Sequence, residues 1–187
     1  RMSRARLAAW VRGKSVLDVY SYIGGWGVQA AAFGATDVCC LDSSAVALEG
    51  VAANARLNGL QDCVTTLRGS APETMADLRA RGRQYDVVIL DPPAFIQRKK
   101  DLKKGFTAYR RINELGLQLL RPGGLLVSGS CSMHLSRADL ISAMQQAAVR
   151  AGCQLRVVEQ GAQGPDHPIH PAIPETEYLK AVFARRL

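Results

Sequence analysis

Asp18-Val19-Tyr20-Ser21-Tyr22-Ile23-Gly24-Gly25-Trp26-Gly27 is the stretch whose reading decides the fold. An apolar run leads into it, three glycines crowd its last four positions, and a helical pattern starts where it ends. Glycines directly after a first strand let the backbone approach a ligand at the following helix N-terminus, in the crevice beyond the strand carboxyl ends. A second apolar run closes on Asp42, 17 residues past Gly25. A carboxylate there can accept hydrogen bonds from both ribose hydroxyls of a nucleoside cofactor. The G-x-G-x-x-G order is incomplete, which argues against a nicotinamide dinucleotide.

Outward from this stretch, short apolar runs alternate with longer helical patterns, the signature of strand–helix units in a parallel sheet. Strands are expected near 16–20, 37–42, 63–67, 86–91 and 124–130, the last after the turn Arg121-Pro122-Gly123-Gly124. Helices are expected over 26–33, 44–57, 71–82, 107–120 and 136–151, with Ser43 or Ser44 and Ser136 as N-caps. Residues 154–159 and 177–184 read as two further strands joined without a helix, hence an antiparallel hairpin. The expected fold is α/β and Rossmann-like: seven strands, mostly parallel, ending in that hairpin.

At 187 residues the chain is expected to form one domain spanning 1–187, with 1–13 as a basic lead-in. It starts at Arg1 and not at methionine, so an upstream segment of a longer protein is expected. Neither a signal peptide nor an apolar run long enough for a membrane span is present, consistent with a cytoplasmic protein. Twenty-four Lys and Arg against 16 Asp and Glu give a net charge of +8, which favours an acidic partner such as RNA. Two basic clusters carry the excess, Arg1, Arg4, Arg6 and Arg12, and Arg98 to Lys104; each can equally be a solvated face. The five cysteines form no C-x-x-C pair, and His167 and His170 have no thiol or carboxylate cluster beside them, so no metal is expected.

Two further strand ends carry chemistry. The fourth runs into Asp91-Pro92-Pro93-Ala94-Phe95, whose prolines fix the backbone and whose Phe95 offers a flat face for a base. Lys99, Lys100, Lys103 and Lys104 follow as a phosphate-contacting loop would. The fifth ends in Gly129-Ser130-Cys131-Ser132, which sets a thiol in the same crevice as Asp91. Methylation at carbon 5 of a pyrimidine needs a thiolate: addition at carbon 6 makes carbon 5 nucleophilic, and a base later removes its proton. Methylation of an exocyclic nitrogen or a hydroxyl needs no cysteine.

Taken in order, Asp18 to Gly25, Asp42, Asp91-Pro-Pro-Ala-Phe, Tyr109 to Asn113, Ser130-Cys-Ser and Asp166-His-Pro through Pro174-Glu175-x-x-Tyr178-Leu-Lys180 resemble the 23S ribosomal RNA 5-methylcytosine methyltransferases that carry an N-terminal PUA domain. The resemblance spans nearly the whole chain. It implies methyl transfer from S-adenosylmethionine to a cytosine in ribosomal RNA, and possible homodimers. Cys131 is then the candidate nucleophile, Asp91 the group that hydrogen-bonds the cytosine, and Glu175 the base. The implied cofactor contacts are Asp18 (toward the amino-acid end), Tyr20, Ser21, Tyr22, Gly24, Gly25, Asp42, Ser43, Ser70, Asp91 and Pro92. Pro93, Phe95 and the four lysines would meet the RNA. This chain departs from the family at Ser70, where an acidic residue usually binds the adenine amino group. Two other readings stand beside this one, a guanine or adenine N-methyltransferase in which Cys131 is dispensable and a non-catalytic RNA-binding assembly factor. A flipped or single-stranded target base is expected.

Overall fold

In the computed structural model, which describes residues 2–187, strand β1 (Ser15–Val19) is an interior strand of a seven-stranded sheet. Around it stand β2 (Asp37–Asp42), β3 (Val64–Arg68), β4 (Tyr85–Leu90), β5 (Leu120–Ser130), β6 (Leu155–Gly161) and β7 (Lys180–Arg186), in the order β3-β2-β1-β4-β5-β7-β6. The first five are parallel; β7 runs antiparallel between β5 and β6. The order reverses beside β1, so the β1 and β4 carboxyl ends open a crevice at the switch point.

Strand residues alternate between two apolar cores. Val88, Leu90 and Leu126 face one core, with Met75 of α4 (Ala71–Ala80), Tyr109 and Leu117 of α5 (Leu102–Leu119), and Leu140 of α6 (Arg137–Arg150). Val87, Ile89 and Val127 face the other, with Ala30 of α2 (Gly27–Ala32) and Val51 of α3 (Ala45–Leu57). Both faces being covered explains why these strands read as continuous apolar runs. Ser44, not Ser43, caps α3 by accepting from the Ala47 N–H at 3.2 Å. Ser136 and Asp139 form a reciprocal capping box on α6.

Two expectations are corrected. Helix α5 begins at Leu102 and not near 107, so Lys103 and Lys104 sit in its first turn and only Lys99 and Lys100 precede it, on a 3-10 turn. Gly105 hides this start because it reads as a helix breaker; a Cβ there would lie 2.9 Å from the Phe95 carbonyl and collide with Ile96. The Arg121-Pro122-Gly123-Gly124 turn lies inside β5 as a register shift between Tyr85 and Val87 of β4, and does not precede the strand. The lead-in is folded: α1 (Met2–Ala5) and a 3-10 turn, Arg6–Ala9, carry the fully buried Leu7 onto the second core, where Val11 follows it. Arg1 lies outside the described residues. Among the described residues no helix is long and apolar enough to cross a membrane.

Candidate active site

The glycine stretch makes a strained turn. Tyr20 and Tyr22 hold φ values of +63° and +50°, a region that non-glycine residues occupy at a cost and that clusters at ligand clamps. The turn is pinned from below: the Ser21 N–H donates to the Leu41 carbonyl at 3.1 Å, and the Gly24 N–H to the Ser21 carbonyl at 2.8 Å. Asp42 ties it to β2, one carboxylate oxygen accepting from the Tyr22 N–H and the other from the Ser44 N–H, both at 2.9 Å.

Beneath the turn, Asp18 is fully buried. One of its oxygens accepts from the Gly27 N–H at 2.8 Å, while the other has no hydrogen-bond partner. Burial pushes its pKa up to about 8, against the pull of that N–H; the charges of Asp91 and Asp42 add to the rise and Arg4 opposes it. Gly27 must be glycine, since a Cβ would collide with Cys40 Sγ and stand 3.1 Å from the Asp18 carboxylate.

Across the crevice the Trp26 indole N–H donates to Asp91 at 2.8 Å. Asp91 opens onto the crevice, yet its carboxyl is packed deeply enough that burial raises its pKa, with the Trp26 bond and the Arg4 charge pulling it back. Gly129 makes room for it: a Cβ there would lie 2.8 Å from Asp91 Oδ1. Pro92 is buried, Pro93 exposed, and Phe95 half-buried between Tyr20 and Tyr109, with ring centroids 6.3 and 4.9 Å away. Phe95 therefore packs within the fold and does not line the cavity at this end of the sheet.

Cys131 follows β5 directly and is half-buried. It is flanked by a fully enclosed polar cluster that composition alone did not reveal. The Tyr109 hydroxyl lies 2.9 Å from the hydroxyls of both Ser130 and Ser132. Ser132 Oγ also accepts from the Ile96 N–H at 3.3 Å, which joins the Cys131 turn to the Asp-Pro-Pro loop. Lys180 pairs with Ser130 across the β5–β7 ladder, and its ammonium donates to the carbonyls of Ser132 at 2.8 Å and Leu135 at 2.6 Å. Burial pushes the Cys131 thiol up and the Asp91 charge adds to this; backbone N–H groups, including that of Ala94, and the Lys180 charge oppose it.

A cavity of about 440 Å³ opens at this end of the sheet, lined by the Tyr20–Ile23 turn, Gly25, Trp26, Asp91, Gly129, Lys180 and the 162–167 loop. Asp42, Ser43 and Ser70 lie beyond its lining, at the carboxyl ends of β2 and β3, where Ser70 and Ser43 are exposed. Cys131 borders the Asp-Pro-Pro loop outside that lining. Glu175 stands exposed on the 3-10 turn Pro174–Thr176 and does not line the cavity. The four lysines are exposed as well. Arg4 and Lys180 also line the cavity, a place the sequence did not assign them: Arg4 reads as one charge of the basic N-terminal cluster and Lys180 as the end of the last motif.

The residues fit S-adenosylmethionine. Asp18 presents an unpaired buried oxygen, and Asp42 has lone pairs to spare beyond its two backbone bonds. No group of three or more His, Cys, Asp or Glu able to hold a metal ion occurs among the described residues.

The profile of an S-adenosylmethionine-dependent methyltransferase family matches residues 1–185. The chain is 39% identical over 187 residues to a ribosomal RNA large subunit methyltransferase I of Shewanella denitrificans, covering 99% of this chain and 47% of that protein. It is 38% identical over 184 residues to a ribosomal RNA large subunit methyltransferase of Deinococcus radiodurans, covering 98% and 45%. The chain thus spans less than half the length of these relatives. Among solved structures, SMU.776 complexed with SAH shares the fold, with a TM-score of 0.86 at 20% identity over 98% of this chain and 48% of that one.

Proposed function

This chain belongs to the S-adenosylmethionine-dependent methyltransferase family, and from that premise we propose that it methylates carbon 5 of a cytosine in large-subunit ribosomal RNA through Cys131. The seat of Cys131 carries the reading: the thiol follows β5 directly, under the Ala94 N–H and within the electrostatic reach of Asp91. The names of the relatives support ribosomal RNA as substrate, and the +8 charge supports a polyanion.

Asp18 would take the ammonium of the cofactor's amino-acid end, the Tyr20–Gly25 turn its backbone face, and Asp42 its ribose. Bound there, the cofactor supplies an electrophilic methyl on a sulfonium. Cys131 does the work on the base. Having lost its proton, its sulfur bonds to carbon 6, the double-bond pair moves to carbon 5, and carbon 5 takes the methyl, whose old bonding pair stays on the departing thioether sulfur. Loss of the carbon 5 proton to a base then breaks the carbon–sulfur bond and frees Cys131. Asp91 matters twice. Its negative charge adds to burial in raising the thiol's pKa before the base arrives, and a hydrogen bond between Asp91 and the cytosine, donated by the amino group to the carboxylate or by a protonated Asp91 to the ring nitrogen, relieves that repulsion. The Ala94 N–H and the Lys180 charge then favour the thiolate, so the nucleophile is exposed mainly when cytosine is in place. Of the two carboxylates considered for acid–base work, Asp91 lines the cavity and Glu175 does not, which favours Asp91.

One observation favours methylation of a base nitrogen instead: Asp91 lines the cavity and Cys131 does not. In that reading Asp91 orients an amino group and the cysteine is dispensable. Incubating the full-length protein with unmodified ribosomal RNA and methyl-labelled S-adenosylmethionine, then identifying nucleosides by mass, separates the two. Label in 5-methylcytidine, lost in Cys131→Ala, supports the cysteine reaction. Label in another nucleoside that survives the substitution overturns it.

A further inference from the structure

Arg4 enters the crevice from outside the strand–helix units. Helix α1 is fastened to the far side of the sheet: Ser3 Oγ donates to the Ala162 carbonyl at 3.2 Å, Arg6 pairs with Glu159, and Trp10 Nε1 donates to Glu159 at 3.5 Å. Gly161 lacks the Cβ that would meet Ser3 Oγ, which lets the segment lie close against β6. So anchored, Arg4 extends over the glycine turn. Its guanidinium takes the space where a Cβ on Gly25 would be, and its charge reaches both Asp18 and Asp91.

That guanidinium has no hydrogen-bond or ion-pair partner among the described residues, although it is half-buried in the cavity lining. Lys180, the only other lysine or arginine in the lining among the described residues, is committed to two carbonyls. Three carboxylates, Asp18, Asp42 and Asp91, gather at these strand ends. They offer acceptors to the ammonium and sulfonium of S-adenosylmethionine, and negative charge among them repels its carboxylate. An anion entering here needs a cation, and a planar guanidinium with paired N–H donors matches a carboxylate in two hydrogen bonds.

We infer that Arg4 binds the carboxylate of the cofactor's amino-acid end, opposite Asp18, and that Gly25 is glycine to let the guanidinium through. The assignment rests on the family's cofactor and is independent of which base is methylated.

Calorimetry on the full-length protein without RNA tests it, with S-adenosylhomocysteine and 5′-methylthioadenosine as probes; the second lacks the amino-acid end. Arg4→Met is expected to weaken S-adenosylhomocysteine roughly 10- to 100-fold and to leave methylthioadenosine within about twofold. Arg4→Lys, which keeps the charge but loses the fork, should fall between Arg4→Met and the unaltered protein. Equal loss for both probes would assign Arg4 a structural role and overturn the inference. Unchanged binding of both would do the same and leave the guanidinium to an RNA phosphate. If the unaltered protein bound neither probe, the cofactor premise would fall and the assignment with it.

Discussion

The indole N–H of Trp26 donates to the carboxylate of Asp91 at 2.8 Å, joining the residue that precedes α2 to the residue that follows β4. The glycine turn and the Asp-Pro-Pro loop are therefore a single mechanical unit. Trp26→Phe keeps the ring and removes the donor. It should lower kcat by about 10-fold or more, the effect of losing one hydrogen bond to a charged group. Binding of S-adenosylhomocysteine should change much less. Loss of cofactor binding with kcat intact would contradict this division.

Asp18 makes stability depend on pH in a defined direction. Its pKa is about 8 in the fold against an ordinary 3.8, because burial penalises the charged form. The folded chain thus keeps a proton that the unfolded chain releases above about pH 4. The stability so contributed is full below pH 4 and is lost as pH rises through about 8. Urea unfolding without cofactor should show this decline between about pH 4 and 8 and a plateau above it, and Asp18→Asn should flatten it by on the order of a few kcal/mol. Parallel pH profiles for the two proteins would refute the raised pKa.

Lys180 positions Cys131 through the backbone. Lys180→Met would leave the Ser132 and Leu135 carbonyls without their donor, at a cost of about 1 to 3 kcal/mol. It should also raise the pKa of the Cys131 thiol, seen as a shift to higher pH in its alkylation by iodoacetamide. A stability loss with an unmoved alkylation profile would reduce Lys180 to a purely structural residue.

Lys99, Lys100, Lys103 and Lys104 are exposed on the 3-10 turn and the first turn of α5. Replacing all four by alanine should weaken RNA binding and lower the log–log salt slope by about 3 to 4, near one for each phosphate that no longer meets a lysine. S-adenosylhomocysteine binding should be untouched. A slope that does not move would place the RNA on another face.

The sheet was legible because both its faces are covered, so β1, β2 and β4 stand out as apolar runs that close around Asp18, on Asp42 and just before Asp91. The hairpin showed because only a three-residue 3-10 turn, Pro174–Thr176, is helical between β6 and β7. What stayed hidden depends on contacts between distant residues. Gly105 looks like a helix breaker until Ile96 and the Phe95 carbonyl are seen against it. Arg4 looks like one charge in a basic run until α1 is fastened to Glu159 and Ala162. The Tyr109, Ser130 and Ser132 cluster brings together positions up to 23 residues apart that no local pattern links. Glu175 shows the converse: its place in the motif order suggested the site, and the fold leaves it exposed outside the cavity.

The most direct test of Cys131 chemistry is covalent capture. Ribosomal RNA containing 5-fluorocytidine cannot lose a proton from carbon 5, so an enzyme that attacks carbon 6 stays attached after methyl transfer. The full-length protein, incubated with this RNA and S-adenosylmethionine, should give a complex that survives denaturing electrophoresis and is absent with Cys131→Ala. Methylation of ordinary RNA that persists in Cys131→Ala, with no captured complex in the unaltered protein, would contradict the account.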